Sequence, residues 1–137
     1  MITRLRIVLL AITFLFSASV FQSVRAEEYV FPYKNEAYCA GALIGASQLY
    51  QEVDRARSIS YSAAAAEFKE FLNKKADGAN FENFASHMFV EVIHAIRKIK
   101  GEDRKEKLKT NEDFENHMKM VTAELGACNE LYLVLFK

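Results

Sequence analysis

Proline is almost missing from this 137-residue chain, occurring once as Pro32, and no Asn-Gly or Pro-Gly turn follows residue 26. No sustained alternation of β-branched and polar residues occurs either. Without hairpin turns and without a period of two, the pattern points away from sheet structure. Cysteine is scarce as well, with Cys39 and Cys128 alone, and neither belongs to a Cys-x-x-Cys-His site for covalent haem. Gly-x-Ser-x-Gly and phosphate-loop motifs are absent, and the three histidines are scattered. A nucleophilic enzyme needs a serine or cysteine beside a partnered base, so these absences argue for a non-catalytic protein without a cofactor.

What is present begins at the start of the chain. Arg4 and Arg6 precede a largely apolar stretch from Ile7 to Phe21, and Val24-Arg25-Ala26 offers small side chains at the two positions a signal peptidase reads. Residues 1–26 read as a cleaved secretory signal peptide. Thr13, Ser17 and Ser19 interrupt the apolar stretch, which falls short of the ~20 residues needed to span a bilayer. No cysteine follows closely to accept a lipid, and no transmembrane segment is expected in the mature chain. The expected address is the periplasm or the extracellular space.

Removing the leader takes three of the eighteen basic residues and none of the eighteen acidic ones, so the neutral precursor becomes a mature chain of net charge about −3. That balance argues against nucleic acid as a partner. Residues 27–137 suffice for a single domain with a modest core.

Four amphipathic segments follow an extended aromatic arm over 27–34. Helix 1 is expected from Asn35 to Ser58, with Cys39, Ala42, Leu43, Ala46, Leu49, Tyr50 and Val53 inward and Arg55 and Arg57 in its last turn. Helix 2 spans Ser60 to Lys75 and stops before Asp77-Gly78. Helix 3 runs from an Asn80 cap to Lys100, with Phe81, Phe84, Ala85, Met88, Val92, Ile96 and Ile99 as its stripe, and ends at Gly101. Helix 4 opens on Thr110 and Asp113, a capping-box variant, and carries Phe114, Met118, Val121, Leu125, Cys128, Tyr132 and Leu135 nearly to Lys137. Short connections favour an all-α, antiparallel up-down-up-down four-helix bundle.

In that topology the start of helix 1 lies beside the end of helix 4, which superimposes Cys39 on Cys128. Two cysteines in an oxidising compartment read as one disulfide. Its Cα atoms must approach more closely than helix axes usually do, and Gly41, Ala42, Gly45 and Ala46 facing Ala123, Gly126 and Ala127 could supply that closeness.

Three constellations are candidate sites. His87, Glu91 and His94 share one face of helix 3, and Glu91 with His94 resembles the Glu-x-x-His motif of carboxylate-bridged di-iron bundles. Such bundles use the motif twice with further inward carboxylates. This face lies away from the apolar arc, so the trio is expected as a solvated surface, with a surface Zn²⁺ or Cu²⁺ site as the competing reading. Near His117, Met118 reads as core and His117 as flanking it. From Arg97 to Lys109 seven basic residues stand against three acidic ones, a local charge of +4. Arg97, Lys98, Lys100, Arg104 and Lys105 are its partner-binding candidates, suited to an anionic envelope component or an acidic protein. Tyr29, Phe31 and Tyr33 around Pro32 either fold back over the open end of the bundle or meet a partner. The expected function is therefore binding of a protein or envelope-surface partner, as an inhibitor, immunity or adaptor type of protein. A metal- or haem-binding bundle is the alternative.

Overall fold

A computed structural model of the chain describes residues 28–76, 78–104 and 108–137; the leader at 1–26 and Lys105 lie outside them. Residues 31–137 form one compact unit, and residues 28–30 lie outside it. The described residues hold four α-helices and no strand: α1 (Lys34–Tyr50), α2 (Arg55–Lys75), α3 (Phe81–Lys100) and α4 (Asn111–Phe136). A short 3-10 turn, Glu102–Arg104, follows α3. No described helix is long and apolar enough to cross a membrane.

The first helix is shorter than its periodicity suggests. The backbone N–H groups of Val53 and Asp54 both return to the Tyr50 carbonyl, at 3.1 and 2.8 Å, and the Asp54 side chain then accepts the Arg57 N–H. Asp54 is therefore the N-cap of α2, satisfying a donor that the first turn leaves open. Arg55 and Arg57 begin α2 instead of closing α1, and Val53, expected inward, is 83% exposed in the turn. Ser58 is buried and donates to the Ser47 carbonyl at 2.7 Å, fastening the start of α2 to the end of α1.

The other boundaries follow their local signals. Gly101 sits at φ +71°, the left-handed conformation that terminates a helix, and its N–H reaches the carbonyls of Arg97 and Lys98. Thr110 Oγ1 accepts from the Asp113 N–H while Asp113 Oδ2 accepts from the Thr110 N–H, a reciprocal capping box. Asn80 stands at the N-cap of α3 but makes no side-chain cap bond.

The centre of the unit is α1, against which each of the other helices packs. Between Ala37 and Ala46 all residues but Tyr38 and Ile44 are buried, and most are alanine or glycine. Small side chains on every side let neighbours come close without leaving voids. The two glycines serve α3, correcting the expectation that they bring α4 near. A Cβ on Gly41 would lie 2.8 Å from Val92 Cα, and one on Gly45 would lie 3.1 Å from Ile99 Cβ. Gly126 on α4 meets nothing within 4 Å.

Cys39 and Cys128 are nevertheless joined in a disulfide, with Cα atoms 5.3 Å apart and both residues buried. The core around it includes Phe68, Leu72, Ile99 and Val121, none of them exposed to solvent. On α4 the inward stripe is His117, Val121, Leu125 and Cys128, rotated at its start from the expected one. His117 is the buried residue, Met118 is half-buried, and Phe114 is 55% exposed.

Candidate binding groove between α2 and α4

α2 and α4 both lean on α1, but along part of their length they stand apart. The reason lies in α2, whose Ala63, Ala64 and Ala66 put methyl groups where longer side chains would reach across. The result is a groove of about 690 Å³, floored by Leu43 and Cys128 and flanked on α4 by Leu125, Asn129, Tyr132 and Leu133. This is within the size range of ligand sites, and its apolar floor with a few polar groups at the rim has their usual composition.

Aromatic contacts close the groove at one end. The rings of Phe68 and Phe136 meet edge to face at 5.3 Å, Phe71 meets Phe136 at 6.2 Å, and Tyr132 lies 5.0 Å from Phe136. Toward the other end Tyr61 packs on Tyr50 at 5.8 Å. Burial pushes the Tyr61 phenol above its ordinary value, with the neighbouring Tyr50 adding to the effect. The Glu67 carboxylate engages the Tyr132 hydroxyl and holds that phenol up in the same sense. The polar rim is thus two phenols, the Ser60 hydroxyl, a carboxylate, the Asn129 amide and Lys137, all hydrogen-bonding groups without a histidine among them.

The residues singled out from the sequence lie elsewhere. Lys98 Nζ is 2.8 Å from Glu124 Oε1 and 5.5 Å from the centre of the Tyr38 ring, so this cation ties α3 to α4 and α1. The Glu124 hydrogen bond raises the Lys98 pKa against the opposing cost of its burial. Burial also raises the Tyr38 phenol, an effect that the neighbouring Lys98 partly opposes. Lys100 pairs with Glu102 at 3.1 Å. Arg97 is exposed on the outer side of α3, while the Arg104 side chain, like Lys105, is outside what is described.

Phe31 and Tyr33 fold onto the helices: Phe31 meets Phe84 edge to face at 5.2 Å, and Tyr33 meets Phe71 at 5.9 Å. Tyr29 belongs to the segment that ends at Val30. His87 and His94 are exposed, but Glu91, expected in solvent with them, has a side chain only 19% exposed and lies 3.8 Å from Lys34 Nζ. At about 80° from the centre of the apolar arc, Glu91 reaches the edge of the α1 contact. Among the described residues no three histidine, cysteine, aspartate or glutamate side chains converge as a metal site requires.

His117 makes one hydrogen bond, its Nε2–H donating to the Ile99 carbonyl at 2.9 Å, and its Nδ1 is buried without a partner among the described residues. No family model, no curated protein and no solved structure matches this chain.

Sequence reasoning passed over the groove because its signal is a deficit of volume. Ala63 to Ala66 reads as a helix-favouring run, and nothing in the run itself says that α4 stands opposite.

Proposed function

We propose that the protein is exported, loses residues 1–26, and acts without catalysis by binding a partner protein in the α2–α4 groove. The groove carries this reading: an unfilled apolar cleft with a hydrogen-bonding rim suits an amphipathic segment, whose apolar side lies on the floor while its polar edges meet the phenols and Glu67. Export is supported by the leader pattern and by a buried disulfide, the kind of bond that persists in oxidising compartments. Lys98 and Lys100 are engaged within the molecule, which favours the groove over the basic end of α3 as the contact surface.

The up-down-up-down course belongs to the same proposal. It is supported by Ser47 lying against Ser58, by Gly41 and Gly45 meeting Val92 and Ile99 in that order, and by Cys39 meeting Cys128.

Filling the cleft tests the function. Ala64→Trp places an indole in the groove from a half-buried position. Protein lacking residues 1–26 is expected to capture a partner from envelope extract, and the Ala64→Trp variant to lose it while keeping its helical spectrum and its disulfide. Equal capture by both would remove the groove from the contact surface.

A further inference from the structure

The geometry points to a second copy of this chain as the partner of the outer face of α3, in a twofold-symmetric antiparallel helix pair. α3 is apolar on two sides. Its inner side supplies Phe84, Ala95 and Ile99 to the core, yet Phe89, Val90 and Ile93 remain 65%, 59% and 36% exposed on the opposite side. At 100° per residue, Glu82, Ser86, Phe89, Val90, Ile93 and Arg97 fall within one outward arc of about 100°. A single exposed apolar residue needs no explanation, whereas three adjoining ones on a helix already apolar inside form a patch.

The order of chemistry along this arc selects the occupant. Laying the face against itself antiparallel, with the twofold axis between Phe89 and Val90, sets Glu82 opposite Arg97, Ser86 opposite Ile93, and Phe89 opposite Val90. The acidic end therefore meets the basic end twice, by symmetry, and the apolar centre meets itself. Such self-complementarity is what an isologous interface requires. Run parallel, the same face would stack Glu82 on Glu82 and Arg97 on Arg97, which repel. Glu82 and Arg97 are both exposed, so neither must leave a buried site to pair. The arc lies away from the α1 contact, so the pairing leaves the core undisturbed. One helix pair buries less than the ~1,200 Å² of stable complexes, which places the dimer in a weak, roughly micromolar class.

Sedimentation equilibrium of the purified, oxidised protein, from about 1 μM to about 1 mM, tests this. Reversible dimerisation is expected. Val90→Glu puts two carboxylates at the symmetry axis and is expected to raise the dissociation constant at least about 30-fold with an unchanged helical spectrum. Glu82→Arg or Arg97→Glu alone is expected to raise it about tenfold, and the two together to restore it to within about threefold. A protein that stays monomeric throughout, a Val90→Glu dimer as tight as wild type, or a double charge swap that restores nothing would overturn the proposal. Because Ala64 lies on α2, the groove experiment and this one fail independently.

Discussion

The imidazole of His117 on α4 holds the last turn of α3, its Nε2–H donating to the carbonyl oxygen of Ile99 at 2.9 Å in a buried setting. The end of any helix leaves carbonyls without partners. Gly101 serves those of Arg97 and Lys98, and His117 reaches in from another helix to serve the next. His117→Phe keeps most of the volume and removes the donor, and is expected to cost about 1–3 kcal/mol. His117→Ala, which also opens a cavity, is expected to cost about 2–5 kcal/mol. Urea unfolding of both measures this, and an unchanged midpoint for His117→Phe would show that the carbonyl needs no donor from α4.

Two mid-helix glycines are expected to respond oppositely to alanine. Propensity alone favours alanine by about 0.5–1 kcal/mol. Gly126→Ala meets nothing within 4 Å and should gain that amount. Gly41→Ala would set its methyl 2.8 Å from Val92 Cα and 2.9 Å from Ala95 Cβ, and backbone cannot swing aside as a side-chain tip can. A net loss of about 1–3 kcal/mol is expected, read as a lowered melting temperature. Stabilisation by both substitutions would mean that α1 and α3 separate freely.

The disulfide closes a sequence separation of 89 residues, for which chain entropy allows up to roughly 4.5 kcal/mol. Cys39→Ala combined with Cys128→Ala is expected to cost about 2–5 kcal/mol and to leave the helical spectrum in place at low temperature. Labelling of two free thiols in denatured, unreduced wild-type protein would contradict the pairing itself.

Acid is expected to loosen the start of α4. The Asp113 carboxyl is held below the ordinary carboxylate range first by the Thr110 hydroxyl and then by the backbone N–H groups of Thr110 and Lys109. A depressed carboxyl stabilises the fold above its unfolded pKa, and the contribution disappears as pH falls through the folded value. Carbon chemical shifts of residues 111–114 should therefore move toward coil values below about pH 4. In Asp113→Asn the same shifts should be insensitive to pH over that range; an identical drift in the variant would assign the effect to other carboxylates.

Much of the fold was legible because it is written in local signals. Asp113 three residues after Thr110, Gly101 after a basic turn, and two cysteines on facing stripes each carry their own physical reason. The boundary between α1 and α2 was not, since apolar spacing continues through Val53 and the decisive cap, Asp54, interrupts the pattern with a single side chain. The inward phase of α4 was misread at its start because His117 is polar by type yet buried by its bond to Ile99. The groove and the outer face of α3 were hidden for a related reason: the first is a shortage of atoms, and the second was masked by a sufficient apolar stripe on the same helix.

The all-round burial of α1 bears on how the sequence can vary. On α3 and α4, positions that reject substitution should recur every three or four residues, with permissive ones between. Along Ala37 to Ala46 that rhythm should vanish, because nearly every direction from the helix axis is occupied. There the demand is for smallness at consecutive positions, so a map of tolerated substitutions across α1 should resemble a plateau of intolerance instead of a wave.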